Sequence, residues 1–283
     1  MAIKIKPGLL INEFILFFIP QILGLFVGWK IFTTIPIIKM EVIPSITTFM
    51  IAFAIATVLI ILAIKFIKIS VPFNILFSFL VFVGAEIVFE LFMPVLMAVA
   101  CALILAGARY LWPNMLVQNV AILIAIAGVG AQLGLLLPVT AVIILLVILS
   151  VYDVIAVFRT KHMVKMFTGL MQKGVALSLV IPEKMSDLSK NMKRITEEKL
   201  KAHETGKKHK IMMLGTGDVA FPIVFAVSAL DYGLPQSYGV IIGSLAGLFV
   251  IHLIMRNSNI RALPALPPIA IGAIAGFFIS FLI

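Results

Sequence analysis

About 20 apolar residues is the length of helix that crosses a bilayer, and this chain is built almost entirely from stretches of that kind. Nine can be marked, at roughly 8–29, 44–67, 71–91, 93–110, 114–135, 138–158, 211–230, 236–255 and 263–283. Backbone polar groups in lipid must find partners inside the spanning segment or around a closed barrel, and runs this long and this apolar select the helix. Only 12% of the residues are charged and 63% are hydrophobic, against about 25% and about 45–50% in soluble domains. The expected fold is all-α: a polytopic, multi-pass membrane protein with nine transmembrane helices and no internal repeat. The third and fourth runs lie closest together. There "GAEIVFELFMP" reads as a tight hairpin carrying Glu86 and Glu90, with Pro94 opening the next helix. The opening "MAIKIKPGLL" shows no small-residue cleavage site, so the first helix is expected to be retained.

Charge orients these runs. Placing the amino terminus and the loops after the second, fourth, sixth and eighth runs on one side collects 20 of the 22 basic residues there, and leaves Lys30 and Lys39 opposite. The positive-inside rule makes that side cytoplasmic and puts the carboxyl terminus outside. The chain divides into a single membrane domain, 1–283, with helices over 1–158, a basic cytoplasmic loop at 159–210, and three further helices over 211–283. That loop holds 13 basic and 5 acidic residues. The net charge of +10 therefore reads as attraction to anionic lipid rather than to nucleic acid. Its first half, "MVKMFTGLMQKGVALSLVIPE", is semi-apolar and is expected at the interface or packed on the bundle. A single cysteine, Cys101, excludes an internal disulfide and a cysteine-based metal cluster. No metal and no cofactor is expected.

Two acidic residues stand inside apolar runs. Asp153, in "LLVILSVYDVIAVFRTK", lies six residues before Arg159; Asp218, in "KIMMLGTGDVAF", lies eight after Lys210. The sixth and seventh runs flank one loop and so run antiparallel. At helical rise both carboxylates sit roughly 9–12 Å inside the cytoplasmic ends. An ionised aspartate at a helix centre costs about 2.5–3.5 kcal/mol, so two at one depth call for a function. A facing pair sharing one proton can activate water against a peptide carbonyl and protonate the leaving amine without metal or nucleophilic side chain. On a helix Gly215 and Asp218 are i and i+3, on one face. Gly217 removes a second side chain beside the carboxylate. Their alternative reading is ordinary close helix packing. In "RALPALPPIA", Pro264, Pro267 and Pro268 favour extended, unpaired backbone just before the last helix, which is tolerated at membrane depth only against protein or a wet cavity.

Taken in order on the sixth, seventh and ninth runs, "YD" at Tyr152-Asp153, "GTGD" at Gly215–Asp218 and "PAL" at Pro264-Ala265-Leu266 closely resemble the presenilin and signal peptide peptidase family of intramembrane aspartyl proteases. The resemblance implies that Asp153 and Asp218 are the catalytic pair and that Tyr152 supports the first of them. It implies too that Gly215, Thr216, Gly217, Pro264, Ala265 and Leu266 shape the site and hold substrate. Many family members carry a larger apolar residue where Thr216 stands, so substrate preference does not transfer. The inside amino terminus resembles presenilins, which implies substrates of type I orientation. The short termini resemble a compact microbial, archaeal homologue of the cell membrane without obligatory partner subunits. Expected partners are transmembrane-segment substrates and the lipid bilayer; a homo-oligomer and self-cleavage within 159–210 stay open.

The rival class is a secondary transporter or channel using intramembrane carboxylates. Against it, the hydropathy pattern shows no duplication and the motif set has no transport role. No HExxH motif is present, and Ser244 in "GSLAG" lacks a nucleophile-elbow context. Prepilin-type peptidases share a GxGD aspartate but lack the PAL element. His252 reads as a packed or interfacial residue, Asn12, Glu13 and Gln21 as interior polar contacts, and Gly239, Gly243 and Gly247 as a packing face.

Overall fold

The computed structural model describes residues 7–34, 46–48, 71–112, 114–159, 178–181, 188–189, 191, 212–257 and 264–282, with scattered positions in 51–62. Eight helices are continuous among them: α1 Pro7–Thr34, α2 Val71–Phe89, α3 Val95–Leu111, α4 Met115–Leu136, α5 Val139–Val154, α6 Thr216–Ser228, α7 Leu234–Asn257 and α8 Leu266–Ile279. The described positions between 46 and 62 are helical as well, and most of the second run lies outside the described residues. Among the described residues, four helices are long and apolar enough to cross a membrane, within Gly8–Thr34, Met115–Leu136, Val139–Arg159 and Leu234–Ile254, and three shorter apolar ones accompany them. The hairpin between the third and fourth runs forms where expected: α2 ends at Phe89, a turn follows, and Pro94 caps α3.

At the centre stands α6, with Pro222 to Leu230 all buried. It reaches that position through glycines on its neighbours. Methyl groups added at Gly24 or Gly28 of α1 would collide with Ile223 or Val227, and one at Gly134 of α4 would stand 2.6 Å from the Val224 carbonyl oxygen. Lipid offers no hydrophobic drive between helices, so such small-residue faces let backbones close on one another. The predicted face on α7 has the same use. It meets α8, with the Gly272 carbonyl oxygen standing where a Gly243 side chain would begin.

Polar side chains in α1 are interior, as the sequence suggested. Gln21, fully buried, accepts a hydrogen bond from Ser244 Oγ at 2.9 Å. Glu13 lies 3.0 Å from His252 Nε2, both being buried.

One element departs from the all-α expectation. Two short strands, β1 Ser178–Ile181 and β2 Met212–Gly215, pair antiparallel with Ser178 opposite Gly215 and Ile181 opposite Met212. β1 belongs to the semi-apolar half of the basic loop. It packs against α1 and α4 with all four residues at 0% exposure. The expectation that this half packs on the bundle holds for these four residues; the rest of it lies outside the described residues.

Candidate active site

Asp153 sits in the last turn of α5, 7% exposed. The helix then widens into a single π turn, Ile155–Arg159, a feature that recurs at functional positions. The first residue of α8 faces this aspartate. Leu266 N–H donates to Asp153 Oδ2 at 3.3 Å. The leading N–H groups of a helix have no partner within it and carry its positive end, so the start of α8 is suited to hold an anion. The PAL residues lie here: Pro264 and Leu266 are buried and Ala265 half-buried. The helix begins sooner than expected. Ala265 already has helical dihedrals, and Pro267 and Pro268 occupy the first turn rather than an extended lead-in, where a proline's missing N–H costs nothing.

Asp218 is approached differently from the expectation. The seventh run is not one helix over 211–230: it enters as β2 and becomes helical only at Thr216. Gly215 is therefore not i to Asp218's i+3 on a helix face. It is the extended residue that caps α6, at φ −62° and ψ 136°. The depth estimate from helical rise fails for the same reason, since a strand advances more than twice as far per residue. Glycine is a poor helix former, and the apolar residues before it pair with β1 instead.

The carboxylate of Asp218 folds back over this residue. A methyl group at Gly215 would lie 2.8 Å from Asp218 Oδ2, which is a collision. Gly217 has open space; the nearest atom to an added methyl is Phe221 Cε2 at 3.8 Å. The first glycine of GTGD thus makes room for the acid, while the second is exposed and lies along a cavity. Pro222, four residues on, has no N–H to give the Asp218 carbonyl. Asp218 itself is half-buried.

The helices that carry the two acids, far apart in sequence, pack against each other, and α8 packs against both. Next to the GTGD turn a cavity of about 300 Å³ opens between α2, α4, α5 and α6. Its wall is apolar apart from Thr216, and Thr216 and Gly217 bring it to the GTGD turn. Tyr152 is 40% exposed. All nine candidate residues are described; two parts of the site were not foreseen. The Leu266 N–H bond is a backbone contact that no side-chain type announces. Asn119, on α4, is 2% exposed and bonded to Val180 of β1; an asparagine following Asn114 and Gln118 near the start of an apolar run was its only signal.

Residues 14–283 match the family described as signal-peptide peptidase, presenilin aspartyl protease. No curated protein matches the chain. Two solved structures, each described as a presenilin family intramembrane aspartate protease, one in the C222 and one in the P2 space group, superpose with TM-scores of 0.64. In both, 95% of this chain and 96% of the other are covered at 21% identity, so the likeness is one of fold. Matched over nearly its whole length, the chain belongs to the signal-peptide peptidase and presenilin family of aspartyl proteases, peptide hydrolases of the membrane.

Proposed function

We propose that this protein cuts peptide bonds within transmembrane segments of other membrane proteins, with Asp153 and Asp218 as its catalytic pair. The reading rests above all on one observation: α5 and α6, which carry the two acids, pack against each other, and α8, which packs on both, donates its first N–H to Asp153. In the proposed mechanism the two carboxyl groups hold one proton between them. The ionised one takes a proton from water as the water oxygen bonds to the scissile carbonyl carbon. The protonated one gives its proton to the carbonyl oxygen. Collapse of the tetrahedral intermediate breaks the C–N bond, and the nitrogen leaves with the proton returned by the pair.

A helical substrate hides its amides, and unwinding them in lipid is costly unless they are re-paired. The extended segment able to do this is β2, which ends three residues before Asp218, rather than the PAL stretch. Among the described residues, β2 has β1 on one side and no strand on the other. A substrate strand added there would present its backbone beside Gly215. The apolar cavity is sized for large apolar side chains next to the cut. Nine spans, a cytoplasmic amino terminus, a multi-pass place in the cell membrane and a preference for type I substrates complete the reading, carried by the charge asymmetry of the loops.

The test is purified protein with a transmembrane peptide, products being read by mass spectrometry. Cleavage lost in both Asp153→Ala and Asp218→Ala supports the pair. Ion or solute uptake into liposomes, with a range of transmembrane peptides left intact, would establish the transporter instead. Proline placed along the substrate's unwound stretch should weaken cleavage; indifference at every position refutes strand pairing.

A further inference from the structure

β1 comes from the basic loop, yet no part of it is exposed. A buried strand must pair each N–H and C=O. In an antiparallel pair, successive residues turn these groups alternately toward and away from the partner. Val180 stands opposite Met213, but its N–H donates to Asn119 Oδ1 at 2.9 Å and its carbonyl accepts from Asn119 Nδ2 at 2.7 Å. Val180 therefore turns its backbone groups away from β2, and one side chain pairs both of them. A primary amide suits this place because it offers one acceptor and one donor side by side, as a peptide group does. Asn119 is buried on α4, next to Gln118, which accepts from Arg109 Nε at 2.8 Å.

The connection continues toward the catalytic pair. β1 holds β2, β2 ends at Gly215, and the Asp218 carboxylate lies directly over Gly215. We infer that Asn119 is a positioning residue for Asp218. It fixes the sheet to α4 and, through the sheet, the backbone under the carboxylate. This rests on the proposed role of Asp218.

The experiment uses the full-length protein in lipid nanodiscs. Asn119→Leu keeps the volume and removes both bonds, leaving the two Val180 groups unpaired. Amide exchange should rise in 179–181 and in 212–215, with 239–247 of α7 unchanged. Cleavage of a transmembrane peptide should fall about tenfold or more, the scale expected when a reacting group is displaced by a fraction of an ångström to an ångström. A rescue separates positioning from general destabilisation. In a Cys101→Ser background, Val180→Cys and Met213→Cys occupy a pair that is not hydrogen-bonded, whose Cα separation of about 4.5 Å suits a disulfide. Oxidation should restore most of the cleavage lost in Asn119→Leu. Unchanged exchange, unchanged cleavage, or a loss that oxidation leaves in place while the same disulfide is harmless beside Asn119, overturns the inference. Where the disulfide itself blocks the Asn119 protein, exchange and cleavage decide without it. A wild-type protein that cleaves no transmembrane peptide defeats the protease reading and this role with it; an active protein indifferent to Asn119 defeats the role alone.

Discussion

The two aspartates are held in opposite ways. Asp153 ends a long helix, is buried, and receives a backbone N–H from the start of α8. Asp218 starts a helix, is half-buried, lies on a glycine and adjoins a cavity. One acid is bonded by the protein's own backbone; the other stands beside residues that line a cavity. For the proposed catalytic pair this inequality is an advantage, because one member fixes the geometry while the other is left for the incoming chain.

The largest effect should erase the contrast. Alanine at either aspartate should lower cleavage by about a thousandfold or more, and the double variant should be no worse than the worse single, as for residues that act as one unit. Product yields from the three variants would decide it; additive losses would separate the acids. Next comes the pair of glycines. Gly215→Ala drives a methyl into Asp218 Oδ2, and about a hundredfold loss is expected from displacing the acid. Gly217→Ala meets open space and should cost only a few-fold. Equal losses at both positions would remove the distinction between a glycine under the acid and one along the cavity.

How much of this could be read in advance follows from the same residues. The ordered YD, GTGD and PAL motifs pointed to the family, and the hairpin at Pro94 and the buried Gln21 and Glu13 were likewise visible in the sequence. Strands β1 and β2 were not. Four-residue apolar segments such as "SLVI" and "MMLG" have no period that separates strand from helix, and β2 merges into a run that continues as a helix. Nor does sequence disclose that Asn119 meets a backbone 61 residues away, since its partners are an N–H and a C=O that every non-proline residue carries.

Smaller effects refine the open side. Thr216→Leu fills the cavity at the GTGD turn and should alter preference between peptides with large and small residues beside the cut by about tenfold, the scale of a methylene or two in an apolar pocket. Competition between two peptides in one tube would measure it, and an unchanged ratio would detach the cavity from specificity. Tyr152→Phe should be mildest. The tyrosine is 40% exposed, and loss of one neutral hydrogen bond is worth about 1 kcal/mol, or roughly fivefold in kcat/KM. A loss as deep as that of Asp153→Ala would move Tyr152 into the grip on the buried acid.

The close approach of α7 to α8 has a mechanical consequence. Where helices meet through layers of long side chains, they can slide by repacking those chains. Between Gly243 and Gly272 there is no such layer, because backbone stands against backbone. α7 and α8 are thus expected to behave as one stiff plate, and the N–H that reaches Asp153 is mounted on its edge. Any opening of the site on that side would be a rotation of the whole plate, with an amplitude set by helices far from the carboxylates.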